Sequence, residues 1–291
     1  MKRTCLKVGA KLKIAVVTDS TSDLPADLAT KHDISVVPLN VHFGTEAYKD
    51  GIDMNADEFY KRLQNEKTLP TTSAPSAGQF AEVYLDLAKN HDSIISLHVS
   101  SKISATYSAA VQASEEVRSS NIDVKVIDTL QASMALGLVT MAVSKQAKEG
   151  SSIDSLVDLA KRLSLRAQFS GLVETLEYLQ KGGRIGKASA LLGSILKIKP
   201  LLAMVDGEAH PIDRPRTRIK GINRMKQLVA EAGNLDSLCV LHSTDPDLAK
   251  EIAYDLRGFT PTEKPIVTRL GPVVGTYLGP GMLGVAWLKA E

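Results

Sequence analysis

The chain has 291 residues, 44% of them apolar and 23% charged, which is the composition of a folded globular protein and excludes disorder. That length exceeds what one hydrophobic core usually serves, so two α/β domains of about 130 to 160 residues are expected. No run of about 18 apolar residues is available to span a bilayer, and the basic segment 1–13 lacks the apolar stretch of a secretory signal, which points to a cytosolic protein.

In chain order, the first half alternates short apolar runs with helical patterns. Ile14 to Thr18, Ile34 to Phe43, Ser93 to Val99 and Val124 to Asp128 read as strands. Asn55 with Glu58 and Ser76 with Gln79 each fit a capping box, so helices are expected to start there. Strands alternating with helices imply βαβ units and a mainly parallel sheet covered on both faces.

The second half differs. Pro200 to Val205 and Glu208 to Ile212 flank Asp206-Gly207, a dipeptide suited to a tight hairpin turn, so antiparallel pairing is expected. Helical patterns at about Lys187 to Lys197, Arg218 to Ala232 and Asp245 to Leu256 accompany strands near Leu238 to His242 and Met282 to Leu288. The expected fold class is α/β with two domains after a tail of 1–13. The first, 14–165, is a mainly parallel three-layer α/β/α domain, and the second, 166–291, is a mixed-sheet α/β domain, with a ligand between them.

Net charge is +2, yet Lys181 to Lys226 holds eleven Lys or Arg against three acids, which suggests an anionic ligand or partner, or else a solvated face. The stretch has no Phe, Tyr or Trp, so it lacks the stacking platforms of single-strand nucleic-acid binders, and no nucleic-acid partner is expected. Cys5 and Cys239 offer neither a disulfide framework nor metal-ligand spacing, and Cys239 reads as a core residue. The six histidines show no paired metal spacing, and neither a Gly-x-Ser-x-Gly elbow nor a Walker-type loop is present. No metal, cofactor or catalytic residue is expected.

Five segments are candidates for a site. Thr18 to Asp23 follows the first strand, where open α/β sheets present loops to ligands; the alternative is that Ser22 or Asp23 caps the next helix. Thr71 to Ser76 and Ser100 to Tyr107 are hydroxyl-rich helix entries suited to an anion, and if their strands are neighbours Thr72 and Ser104 converge on one carboxylate. Gly182-Gly183 either simply ends a helix or ends it so as to aim Arg184 at an anion. Gly271 to Gly281 is dense in glycine and proline and reads as a ligand-facing loop or a connection into the last strand.

Taken together, several motifs resemble the bacterial DegV family. They include Val17-Thr-Asp-Ser-Thr-Ser-Asp-Leu-Pro25, Tyr48-Lys-Asp-Gly51, Thr72-Ser-Ala-Pro-Ser76, Ser100 to Tyr107, Gly182-Gly-Arg-Ile185, Arg216-Thr217 and Thr276 to Gly281. The resemblance spans nearly the whole chain after Lys13. It implies a protein that binds a long-chain fatty acid and, as in many members of the family, presents it to a fatty acid kinase, itself a non-enzymatic carrier; apart from the resemblance, a monomer is expected. By the same resemblance Thr72 and Ser104 hold the carboxylate, with Ser73, Thr106, Tyr277 and Gly279 around it, and Arg184 and Arg216 face the carboxylate, the acyl phosphate or the kinase. Three positions depart from the family pattern: Ala74, Ala105 and Tyr277 stand for glutamine, glycine and histidine. A competing expectation is a hydrolase or phosphoryl-transfer enzyme using Ser104 or Ser73 as nucleophile with Arg184 stabilising an anion.

Overall fold

The computed structural model describes residues 12–66, 68–120, 122–193, 198–260 and 264–290, so Cys5 and most of the expected tail lie outside the described residues. The chain opens with β1 (Ile14–Asp19), every residue of which is buried. A 3-10 turn (Ser20–Ser22), α1 (Ala26–His32) and β2 (Ile34–Val37) follow, with β2 parallel to β1. The single strand expected over Ile34 to Phe43 is two strands. Pro38 has no amide to donate, so β2 stops before it and the chain turns into β3 (Asn40–Phe43) of a different sheet.

There β3 pairs antiparallel with β4 (Glu46–Lys49), and α2 (Ala56–Asn65) starts at the expected Asn55–Glu58 capping box. The next segment, expected as a loop, is a short strand, β5 (Thr71–Ser73), on the other edge of β3. The Ser76–Gln79 capping box then opens α3 (Ala77–Leu87). After β6 (Ser93–His98), α4 (Thr106–Arg118) and β7 (Asp123–Asp128), the parallel sheet is complete in the order β2-β1-β6-β7. The connections leaving β1 and β6 run to opposite sides, which makes the carboxyl ends of these neighbours the switch point where such sheets leave a crevice.

Two helices come next, α5 (Ser133–Glu149) and α6 (Ile153–Arg166), and the third, mixed sheet starts at once with β8 (Ala167–Leu172). Then come α7 (Glu177–Lys181), β9 (Leu201–Val205), β10 (Glu208–Asp213), α8 (Arg218–Ala232), β11 (Leu235–His242), α9 (Pro246–Leu256), β12 (Ile266–Arg269), α10 (Pro272–Leu278) and β13 (Leu283–Lys289). The six strands lie in the order β10-β9-β8-β13-β11-β12, parallel only between β11 and β12. Asp206 and Gly207 both have positive φ, 49° and 81°, and close the expected β9–β10 hairpin.

Two other expectations change. Lys187 to Lys197 was expected to be helical; the structure has a 3-10 turn at Gly186–Leu191, and 194–197 lie outside the described residues. The Gly/Pro-rich segment is no open loop, because Pro272 at its first turn starts α10 with a ring already set at helical φ.

The layers follow from the apolar faces. Helices α3 and α4 cover one face of the parallel sheet through Phe80, Tyr84, Ala110 and Val117, and α8 and α9 cover one face of the mixed sheet through Met225, Val229 and Ile252. Between the two sheets lie α5 and α6. Met134 to Thr140 of α5 are buried without exception, as a helix walled on every side requires. Cys239 is buried on β11 as a core residue.

Candidate functional site

A mostly enclosed cavity of about 170 Å³ opens beyond the switch point. Its walls combine Val99, Ile103 and Ser104 after β6, Thr72 and Ala74 around β5, Phe169 of β8, the hairpin residues Leu202, Met204 and Ala209, and Val273, Val274, Tyr277 and Leu278 of α10. The hairpin is tied to the loop after β6 by the Ser100 hydroxyl, which donates to the Gly207 carbonyl at 2.8 Å.

The polar groups of this cavity form a connected series. Side chains alternate across a strand, so Thr72 turns inward and its flanking residues outward. Its hydroxyl is 2.5 Å from the Tyr277 hydroxyl. The Tyr277 ring carries the Arg184 guanidinium 5.2 Å from its centroid. Arg184 Nε donates to the Ile103 carbonyl at 3.2 Å, one residue before Ser104. Ser104 in turn bonds Thr106 Oγ1 at 2.8 Å and accepts from the Thr106 amide at 3.3 Å.

The local folding explains this placement. Arg184 donates its amide to the Leu179 carbonyl and Gly183, at φ +70°, donates to Gln180, the two bonds of a Schellman ending for α7. The Gly-Gly pair ends the helix as expected, and this stop sets where Arg184 leaves the chain. Gly182 admits Tyr277: a Cβ there would stand 2.6 Å from two ring carbons. Gly279, at φ +73°, lies against the Tyr178 ring and not on the cavity wall. On the solvent side, Ser101, Lys102, Ser108, Gly183 and Glu208 line a polar depression that shares Ile103, Ser104, Ala105 and Arg184 with the cavity.

Of the expected residues, Thr72, Ser104, Tyr277 and Arg184 are brought together, and Thr106 stands behind Ser104, fully buried. Ser73 points out of the sheet, 2.9 Å from His42 Nε2 and 3.3 Å from Asn40 Nδ2. Arg216 is exposed before α8 and lines neither the cavity nor the depression. Much of the remaining basic stretch is ion-paired: Arg218 with Glu174 and Asp245, Arg224 with Asp213 and Glu231, Lys226 with Asp255. The α10 wall falls within the segment read as a ligand-facing loop, whereas the hairpin wall escaped sequence reading; apolar Leu202 and Met204 in a strand were its one signal.

Neither Ser22 nor Asp23 caps α1, which starts after Pro25 without a side-chain cap; Asp19 caps the 3-10 turn instead. Asp19 also accepts from the Val99 amide at 3.1 Å and meets His98 Nδ1 at 2.9 Å, while His98 Nε2 meets Ser96 at 2.7 Å. This Asp-His-Ser series has the connectivity of a hydrolytic triad. All three side chains are fully buried beneath Phe80 and Tyr84, so the serine has no route to a substrate. Ser104 has no imidazole or carboxylate bonded to it among the described residues. None of these residues forms a cluster able to hold a metal ion, and no described helix is long and apolar enough to cross a membrane.

Fold and site thus define an α/β protein of three sheets with a mainly apolar cavity, of whose polar residues Ser104 and Arg184 also line the solvent-side depression. The sequence profile of a family described as "Uncharacterised protein, DegV family" matches residues 13–290, and the chain belongs to that family. A DegV domain-containing protein of Streptomyces coelicolor is 38% identical over 276 residues, covering 94% of this chain and 97% of the relative. A solved structure described as fatty acid binding by a DegV family protein from Thermus thermophilus superposes with a TM-score of 0.88 at 33% identity, covering 96% of this chain and all of that one (100%). DegV of Bacillus subtilis, described as a fatty acid binding protein, gives 0.87 at 33% identity with the same coverage, 96% and 100%.

Proposed function

We propose that this chain binds a long-chain fatty acid, its carboxylate held by Thr72, Ser104 and Tyr277 and its acyl chain in the apolar cavity, and presents it to a fatty acid kinase. The observation that carries the reading is the cavity itself: mainly apolar walls from the segment after β6, β5, the β9–β10 hairpin and α10, with Ser104 and Arg184 shared with the polar depression. The fatty-acid-binding proteins of the same fold support it.

The energetics fit a carrier. Burying about fifteen methylenes at roughly 0.8 kcal/mol each gives on the order of 12 kcal/mol, of which association and ordering consume roughly 4 to 15 kcal/mol. Hydroxyl bonds to an ionised carboxylate add about 1.5 to 3 kcal/mol each. The hydrocarbon supplies the driving force, and the hydroxyls fix which end faces the depression. Tyr277 stands where the resemblance implies a histidine, and its phenol can donate one hydrogen bond. Arg184 is then the fixed positive charge at the head group, placed to meet a carboxylate or an acyl phosphate.

The test is mass spectrometry of the organic extract of freshly purified, undenatured protein, followed by palmitate titration of Thr72→Val/Ser104→Ala. A stoichiometric long-chain fatty acid is expected, with affinity in the double variant reduced at least about tenfold. An empty extract together with no uptake of palmitate or oleate overturns the reading.

A further inference from the structure

Asp23 of the first loop and Asp50 of the Tyr48–Gly51 segment take no part in the contacts described so far, yet both reach the start of α10. Asp23 is 7% exposed and Asp50 is 4% exposed. Asp23 Oδ1 accepts from the Gly271 amide at 2.8 Å, and Oδ2 accepts from the Ser133 hydroxyl at 2.5 Å. Ser133 is the first residue of α5 and Gly271 immediately precedes α10, so one carboxyl fastens the starts of two helices. Ser133 itself lines the cavity, as do four residues of α10.

Asp50 comes from the turn after β4 and faces the Ser20 hydroxyl and the Val273 amide. A Cβ on Gly271 would stand 3.2 Å from an oxygen of each carboxyl, so both acids close on the same point of the chain. One helical turn later, a Cβ on Gly275 would lie 2.5 Å from the Tyr60 hydroxyl. Asp50 Oδ2 and the Tyr60 hydroxyl are buried without a hydrogen-bond partner among the described residues.

We propose that Asp23 and Asp50 are positioning residues for the cavity wall: they hold the first turn of α10, and through it Tyr277, in the place that head-group binding requires. The link to a ligand rests on the fatty-acid reading; the anchoring itself does not. Burial is the dominant influence on both acids and raises both, Asp50 to about 7 and Asp23 well above the ordinary carboxylate range. The other titratable groups around them are Asp19 at the end of β1, itself paired with His98, Tyr60 of α2, Arg269 of β12 and Cys239 of β11. Arg269 lies 5.2 Å from the Tyr60 ring centroid and is ion-paired with Asp57.

The sign follows by linkage. A carboxyl raised in the closed form from its ordinary 3.8 to about 7 favours that form when protonated. An opened α10 returns both acids to water and their ordinary titration, so the opening constant rises with pH from about 4, Asp50 contributing up to about 7 and Asp23 adding to the rise.

Amide hydrogen exchange over residues 271–278 of the ligand-free full chain reads this directly, with palmitate affinity measured alongside. Asp23→Ala is expected to lower protection of the α10 amides and palmitate affinity at least about tenfold each. Asp23→Asn keeps both near wild type, because the carboxamide oxygen still accepts from Gly271. Asp50→Asn reduces the rise in opening between pH 4 and 7 and leaves the part due to Asp23. Unchanged α10 protection in Asp23→Ala, or the same pH dependence in wild type and Asp50→Asn, overturns the proposal; if Asp23→Ala does not fold, the Asp50→Asn comparison decides alone. A wild-type chain that takes no palmitate but shows the expected exchange pattern supports the anchoring and refutes the fatty-acid reading.

Discussion

Tyr277 is positioned by contacts with two other segments of the chain. Its hydroxyl meets Thr72 at 2.5 Å and its ring lies beneath Arg184, while Gly182 leaves the space that the ring fills. Gly182 has φ −77°, open to any residue, so only its lack of a side chain matters there. Gly182→Ala is therefore expected to displace the ring without breaking α7 and to weaken palmitate binding about tenfold, as the loss of one charged hydrogen bond does. Calorimetric titration of the variant checks it, and wild-type affinity would show that the ring does not fix the head group. The sequence made Thr72 and Ser104 legible because hydroxyls before a helix are a local pattern. It made Ser73 look equivalent to Thr72, since a three-residue strand carries too little apolar signal to reveal that alternate residues face opposite ways.

Among the elements, those with strong local chemistry were readable: both capping boxes, the Asp206-Gly207 hairpin and α8, found over the expected Arg218–Ala232. Those decided by tertiary context were not. Pro38 divides one apolar run between two sheets, and α10 forms from a glycine-rich segment because buried partners hold its first turn. Gly137 in α5 shows how far context overrides propensity. In an isolated helix Ala is preferred to Gly by about 1 kcal/mol. Here a Cβ would stand 2.9 Å from the Ser22 carbonyl oxygen and 2.9 Å from Met134 Sδ, and the carbonyl belongs to the turn that carries Asp23. Gly137→Ala is expected to destabilise, since overpacking a core costs about 1 to 3 kcal/mol. A lower urea midpoint at unchanged m-value is the outcome to look for; a higher midpoint would mean that the turn yields freely.

At the scale of the whole molecule, the two sheets share one inner layer. Helices α5 and α6 bury apolar residues against the parallel sheet through Ile14, Val16 and Leu97, and against the mixed sheet through Phe169, Cys239 and Ala286. The cavity is built across the same junction, so neither sheet keeps its inner face covered, or the cavity walled, if the other unfolds. The chain is accordingly expected to unfold in one transition despite its length. Trp287, the sole tryptophan, is buried with the α8 and α9 layer of the mixed sheet and reports on that outer side, while far-ultraviolet circular dichroism reports on all helices. The two signals should fall together, and Leu138→Ala, which opens a space in the shared layer, should shift both midpoints by the same amount at a cost of about 2 to 5 kcal/mol. Bound fatty acid at 100 times its Kd adds about 2.7 kcal/mol and moves both signals upward together. Separate transitions, with only one of them moved by ligand, would instead place the binding energy in one sheet and make the junction a hinge, because a cavity walled by segments from both halves cannot be stabilised on one side alone.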